Sequence, residues 1–347
     1  KNYLNRHSVL SLTEAYKSDS LVREQINIQV RERFPFCPGP DPIMASLFID
    51  LADCYAAAVL RLLQKSGVQV SQIEAIGCHG QTIRHRPNAR QPFSYQIGDM
   101  HRLAALTGIR VIGDFRRKDI AFGGQGAPLV PAFHQAIFAD PDKGRCILNI
   151  GGIANVTLLQ PNQSVRGFDT GPGNGLMDNW IQQQGLGLYD KDGLYAASGV
   201  IQQDLLTALC SDPYFQLQGP KSTGREYFNA EWLAQKLQGK NYNPADVQRT
   251  LTRFTAQSIK IALVNEAIEE LFVCGGGAYN KVLISDLQQL FPTVQLEQTA
   301  SLGVKADDVE AMAFAWLAYA HIERIPAGLP AVTGARRATV LGACYPA

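Results

Sequence analysis

The stretch from Cys146 to Ile181 constrains this chain most. Cys146-Ile147-Leu148-Asn149-Ile150 reads as a strand, Gly151-Gly152 as a tight turn and Asn155 to Leu159 as a second strand. Pro161-Asn162 makes another turn, and Val165 to Asp169 a third strand. Thr170-Gly171-Pro172-Gly173-Asn174 then leads into a helix bearing Met177, Trp180 and Ile181. Short apolar runs separated by tight turns form an antiparallel meander, here joined to an α/β unit.

The remainder alternates in the α/β manner. Ile43 to Gln64 carries Ile43, Leu47, Leu51, Tyr55, Val59 and Leu63 at helical spacing, with Gly67 just beyond as the capping residue. Ala75 to Cys78 is a strand running into His79-Gly80-Gln81-Thr82. Residues 101–107 are a helix ended by Gly108, and Arg110 to Ile112 a strand delivering Asp114-Phe115-Arg116-Arg117. The glycine loop Gly123-Gly124-Gln125-Gly126 precedes a helix opened by Pro131. Leu271 to Cys274 is a further strand, ending in Gly275-Gly276-Gly277, and 308–322 a helix. Polar, weakly periodic, helix-like stretches occupy 1–42. Asp140-Pro141-Asp142-Lys143-Gly144 reads as a hinge, which divides the chain into a first lobe, 1–142, and a second, 143–347.

Composition excludes several classes. The net charge of +1 gives no electrostatic case for nucleic acid. No apolar run reaches the ~20 residues that span a bilayer, and none of signal-peptide type follows Lys1. Seven scattered cysteines without a Cys-x-x-Cys pair predict reduced thiols, a cytoplasmic chain and no metal held by protein side chains.

Three glycine turns follow strand ends, at 151–152, 171–174 and 275–277. Phosphate oxygens need close backbone N–H donors, which a Cβ would block, so such turns suit a nucleotide. Each alone is equally a hairpin turn or a helix cap. The Gly-x-x-x-x-Gly-Lys and Gly-x-Gly-x-x-Gly phosphate patterns are both absent. Asp169, between a strand and a glycine turn, fits a general base or an N-cap. Arg116 and Arg117 fit a carboxylate clamp or a surface ion-pair cluster, and His79 and Gln81 fit sugar hydroxyls or an ordinary loop.

Together, Ile76 to Thr82, Gly113 to Arg117, Gly123 to Pro131, Leu148 to Gly152, Gly167 to Asn174, Pro220 to Glu226 and Cys274 to Gly277 resemble the anhydro-N-acetylmuramic acid kinases, in order and spacing, from about residue 43 to the end. The resemblance implies an α/β, two-lobed actin-like/sugar-kinase (ribonuclease H-like) ATPase fold. It implies ATP-dependent hydrolytic opening and 6-O-phosphorylation of 1,6-anhydro-N-acetylmuramic acid, in cell-wall recycling. By the same resemblance Asp169 is the base. His79, Gln81, Thr82, Arg116, Arg117 and Glu310 contact the sugar, with Arg117 on its lactyl carboxylate. Gly151, Gly152, Asn155, Gly171, Gly173, Asn174, Gly275, Gly276 and Gly277 contact ATP. Mg²⁺ accompanies the triphosphate. The implied partner is the small-molecule sugar, with no nucleic acid and no membrane, and a homodimer is left open.

One departure stands out. The family opens with a strand and a Gly-Thr-Ser-x-Asp-Gly turn, and 1–42 show no strand-turn-strand of that kind, so the first lobe is expected to lack it. The alternative reading is therefore a catalytically impaired or truncated sugar- or nucleotide-binding relative. A third is a kinase of the same fold acting on an ordinary sugar hydroxyl, against which the paired arginines speak.

Overall fold

The computed structural model describes residues 8–11, 42–217 and 221–347. Its strands are β1 (Ser8–Ser11), β2 (Ile73–Gly77), β3 (Gln81–Arg86), β4 (Phe93–Ile97), β5 (Val111–Gly113), β6 (Arg145–Ile150), β7 (Ile153–Leu159), β8 (Arg166–Pro172), β9 (Glu270–Cys274), β10 (Gln295–Gln298) and β11 (Ala343–Tyr345). They fall into two compact units. One holds the described residues up to Phe133 together with Glu310–Ala347, the other His134–Val309.

In the first unit the sheet order is β1-β2-β5-β11, with β1, β2 and β5 parallel and β11 antiparallel. Ser8–Ser11 is a strand where the sequence suggests only polar, helix-like stretches. The segment after it, 12–41, where the family's leading turn is expected, lies outside the described residues. The helix Pro42–Ser66 buries Leu47, Leu51, Tyr55, Val59 and Leu63, a four-residue repeat that keeps one stripe against the sheet. Gly67 follows at φ +71°. Asp99 caps the helix Met100–Thr107 by accepting from the Arg102 N–H at 2.9 Å, and Gly108 ends it in the left-handed conformation. A β3–β4 hairpin, not foreseen from the sequence, carries Gln81 and Thr82. At Gly77 a Cβ would run into the Phe314 carbonyl of the helix Val309–Ile322, so β2 approaches that helix only because residue 77 has no side chain.

The second unit has the order β10-β9-β6-β7-β8. β6, β9 and β10 are parallel and β7 runs antiparallel between β6 and β8. A three-strand meander flanked by two parallel strands is the ribonuclease H-like arrangement. The helices Pro244–Ala262 and Lys281–Leu290 make the crossovers that parallel strands need. β8 runs on through Pro172, three residues past the expected end at Asp169. The continuation is a bulge: Ala154 pairs Gly171 and Asn155 pairs Asp169, leaving Thr170 as the extra residue. Thr170 turns its hydroxyl to the Ala154 carbonyl at 3.2 Å, and Gly171 takes φ +146°.

Behind β8, Tyr214, Phe215, Phe228, Trp232 and Phe254 form an aromatic cluster with ring centroids 5.1–5.9 Å apart. It anchors the segment 221–228 against the strand. All six described cysteines lie outside disulfides, and burial raises the Cys78 thiol to about 12 and Cys210 to about 11.

A Cβ on Gly173 would meet the Gly151 carbonyl and lie 3.1 Å from the Ala154 N, both backbone atoms that cannot yield, whereas one on Gly151 has nothing nearer than 3.6 Å. Gly173→Ala is therefore expected to cost about 1–3 kcal/mol, the usual range for overpacking, and Gly151→Ala well under 1. Denaturant midpoints of the two variants check this, and equal midpoints contradict it.

Candidate active site

The second unit gathers most of the glycines singled out above. Gly151 and Gly152 form the turn from β6 into β7. The Gly151 carbonyl accepts from the Asn174 N–H at 2.7 Å, and the Gly152 carbonyl from the Gly173 and Gly175 N–H groups, each at 3.0 Å. The donors open the helix Gly175–Gln183, where N–H groups ordinarily lack partners. They are spent on the turn and not left for an anion. By contrast, the Gly151 and Gly152 N–H groups have no partner among the described residues. Two adjacent unspent amides on a turn without side chains form a cradle for phosphate oxygens.

Asn174 stands at the N-cap position but makes no side-chain cap. Its amide donates instead to the Ile150 carbonyl at 3.0 Å. Gly275 takes φ +77°, a Cβ on Gly277 would overlap Ile150, and one on Gly276 would lie 3.5 Å from the Asn174 side chain. Gly151, Gly152, Gly173, Asn174 and Gly275–Gly277 thus meet at one end of the sheet. Gly171 and Asn155 do not join them. Gly171 lies inside β8, where a Cβ would come within 2.9 Å of Phe215, and Asn155 lies within β7 opposite Asp169.

Asp169 is a strand residue and not a helix cap. Its row across the sheet is Cys274, Asn149, Asn155 and Asp169, directly paired in register and therefore on one face. The segment from 221 clamps it. The Asp169 N–H donates to the Lys221 carbonyl (2.9 Å), its carbonyl accepts from the Tyr214 hydroxyl (2.7 Å), and its carboxylate accepts from the Thr223 N–H (3.0 Å). Burial lifts the carboxyl to about 6; the Thr223 N–H opposes the rise and the Glu226 charge adds to it. A carboxylate titrating near neutrality can take a proton from a nucleophile and release it again. Asp178, in the first turn of the neighbouring helix, is likewise lifted by burial to about 6, against the attraction of Arg225.

The sugar residues expected from the sequence lie in the first unit. His79 follows β2, its ring 4.8 Å from that of Phe314. Burial, then the Arg116 charge, push His79 down to about 3, so it is neutral. The Arg116 Nε–H can only donate, so His79 Nε2 is the acceptor at 2.8 Å and the proton sits on Nδ1, 2.9 Å from the Gly80 carbonyl. Arg116 also donates to the Gly126 carbonyl at 2.6 Å. Burial lowers it to about 10, with Glu310 opposing, and it stays charged. Arg117 points outward, 67% exposed, and is held by Asp114 at 2.6 Å. Asp114 itself sits at φ +53°. Thr82 accepts from the Gln96 amide at 3.1 Å, Gln81 is half-buried beside it, and Glu310 opens the helix Val309–Ile322. Asp119, fully buried, fixes the 123–126 loop by accepting from the Gly126 N–H (2.7 Å) and the Thr333 hydroxyl (2.7 Å).

The sequence reading missed Asn149, Thr223 and Arg225. All three fall within stretches that carry the resemblance, but cross-strand register places the first and the chain's return past β8 the other two.

A sheet of this order, whose glycine hairpin offers open N–H groups beside a carboxylate poised near neutral pH, suits a phosphotransferase. Residues 39–347 match the family model for anhydro-N-acetylmuramic acid kinase. The chain is 54% identical to the anhydro-N-acetylmuramic acid kinase of Shewanella woodyi, over 89% of this chain and 85% of that one. It is 52% identical to the enzyme of that name from Vibrio cholerae, over 87% and 82%. The chain therefore belongs to the anhydro-N-acetylmuramic acid kinase family. Among solved structures, the activator of the 2-hydroxyisocaproyl-CoA dehydratase from Clostridium difficile with bound ADPNP resembles it at 12% identity and a TM-score of 0.40, over 78% of this chain and 82% of that one. No helix among the described residues is long and apolar enough to cross a membrane.

Asp169 held at about 6 instead of its ordinary 3.8 destabilises the fold where it is ionised. The two states bind protons alike below about pH 4, and the cost grows as pH rises through about 6. Asp169→Asn keeps the acceptor for Thr223 and carries no charge. Its expected stability gain is about 1–3 kcal/mol at pH 8, shrinking toward zero by pH 4. Urea midpoints at both pH values check this, and a variant less stable at pH 8 refutes it.

Proposed function

We propose that this kinase opens the 1,6-anhydro ring of anhydro-N-acetylmuramic acid with water and transfers the γ-phosphoryl group of ATP to O6, yielding N-acetylmuramate 6-phosphate for cell-wall recycling in the cytoplasm. The observation that carries the proposal is Asp169, ionisable near neutrality and fixed by three hydrogen bonds, on the same sheet as a glycine turn with open N–H groups. Asp169 takes a proton from water as the water oxygen bonds to the anomeric carbon. The bond from that carbon to O6 breaks, O6 bonds to the γ-phosphorus, and ADP leaves with the bridging oxygen. Asp169 then returns its proton to solvent.

The open N–H groups of Gly151 and Gly152, and the turn 275–277 that meets them at the same end of the sheet, support a triphosphate and adenosine there. Mg²⁺ supplies charge neutralisation on the phosphates. Among the described residues no cluster of three or more His, Cys, Asp or Glu could hold a metal, so the ion would arrive on the triphosphate. On the sugar side, Arg116 is committed to His79 and Gly126, which leaves Arg117, braced by Asp114, to meet the lactyl carboxylate. Gln81, Thr82 and Glu310 complete the proposed sugar contacts. A homodimer belongs to the same proposal. Leu186, Leu188, Tyr189, Leu194 and Val200, each more than half exposed, form an apolar stretch that a second copy would cover. Sedimentation showing only monomer at all concentrations rejects that part.

With ATP, Mg²⁺ and the anhydro sugar, the wild-type rate is expected to rise tenfold per pH unit up to about pH 6 and then level, because Asp169 must be ionised to act. Asp169→Asn should abolish turnover while sugar affinity stays within tenfold. Arg117→Ala should raise the KM for the sugar while Tm is almost unmoved, since an exposed ion pair contributes under about 1 kcal/mol. Absence of any 6-phosphate product from the wild-type chain overturns the proposal.

A further inference from the structure

Arg225 has no assigned task, and its surroundings define one. It lies in the segment Lys221 to Glu226, whose Thr223 N–H holds the Asp169 carboxylate. Two residues on, the Arg225 guanidinium lies against the Gly151-Gly152 turn. A Cβ built on Gly152 would come within 2.5 Å of Nη2, 2.6 Å of Nε and 2.9 Å of Cζ. Gly152 lacks a side chain in the one direction that would lift the arginine off the turn. The guanidinium is exposed, and among the described residues it makes no hydrogen bond and no ion pair. Asp178 attracts it without a direct bond.

A five-donor fork has thus been brought to rest beside two unspent backbone N–H groups, with none of its donors used. That is an arrangement for a polyanion, since a planar guanidinium pairs with two phosphate oxygens at once. We infer that Arg225 is a catalytic residue of the phosphoryl transfer. It grips the γ-phosphoryl oxygens over the Gly151-Gly152 turn and stabilises the charge they carry as the bond to the bridging oxygen breaks and the bond to O6 forms. The inference rests on the reading of 151–152 as the phosphate turn. One segment then sets both partners of the reaction, since Thr223 aims the base and Arg225 neutralises the group in flight. Oriented donors that meet charge developing in the transition state typically change rates by about 10²–10³-fold.

The test compares Arg225→Ala, Arg225→Lys, Gly152→Ala and the double variant with the wild type, using ATP, Mg²⁺ and the anhydro sugar. The wild type must turn over for the proposed reaction to stand, so its failure is read separately. In an active background, Arg225→Ala should lower kcat at saturating ATP by 100-fold or more, with the sugar KM within threefold and Tm unchanged. Arg225→Lys should recover only part of the loss, because an ammonium cannot pair bidentately. Added guanidinium ion at millimolar concentration should restore Arg225→Ala several-fold and leave the wild type unaffected, which a packing role would not produce. Gly152→Ala should reduce kcat in the wild type yet cost little more in the Arg225→Ala background, because its effect runs through the displaced guanidinium. An Arg225→Ala enzyme that keeps kcat within threefold overturns the inference. So does one that loses rate without guanidinium rescue while Gly152→Ala adds its full cost.

Discussion

Three backbone hydrogen bonds, from the N–H groups of residues 173–175 to the carbonyls of Gly151 and Gly152, organise the second unit. They weld the first turn of the meander to the start of the following helix. The helix thereby satisfies donors that would otherwise be orphaned, and the turn has its carbonyl side occupied and its N–H side open. The glycines around it follow from this closeness. Gly173 and Gly175 lie so near the turn that a Cβ would strike its carbonyls, and Gly277 so near Ile150 that any side chain would overlap it. At Gly173 and Gly175 the cause is backbone packed on backbone, and at Gly277 it is backbone packed on the Ile150 side chain.

The electrostatics of the two units follow opposite strategies. In the second, burial holds two carboxyls, Asp169 and Asp178, near neutrality, where a small change in surroundings moves a proton. In the first, burial removes ambiguity. His79 is forced neutral, its tautomer is dictated by Arg116 on one side and the Gly80 carbonyl on the other, and Arg116 is fixed by two acceptors. Arg116 is thus a pre-set cation whose donors are already engaged, while Asp169 and Asp178 keep a proton within easy exchange.

Much of this was legible in the sequence because it rests on local rules. The apolar repeat from Leu47 to Leu63, the capping glycines 67 and 108, and the strands ending at Ile150 and Cys274 follow from periodicity and turn chemistry. The bulge at Thr170 was not legible, since an extra residue in a ladder leaves no local mark when its strand continues past a glycine. Nor was the β3–β4 hairpin, whose first strand is polar and whose second turns Phe93 and Tyr95 to solvent. Ser8–Ser11 escaped because four residues carry too little pattern; their pairing with β2 defines them. Asn155 and Gly171 were grouped with the nucleotide turns by proximity in sequence, and the pleat and the bulge put them elsewhere. Arg225 lies more than seventy residues from the turn it covers, and only the aromatic cluster that returns the chain to β8 brings it there.

That return explains why the fold tolerates an acid as unfavourable as ionised Asp169. Tyr214 is both a cluster ring and the donor to the Asp169 carbonyl, and the Lys221 ammonium lies 4.6 Å over the same ring while its carbonyl accepts from the Asp169 N–H. Apolar packing in Phe215, Phe228 and Phe254 therefore offsets the cost of the carboxylate, and it does so through rigid backbone contacts that leave one carboxylate oxygen to Thr223 and the other outside the network. Stability is thus stored in the cluster and expended one strand away, and among the described residues the second carboxylate oxygen makes no hydrogen bond.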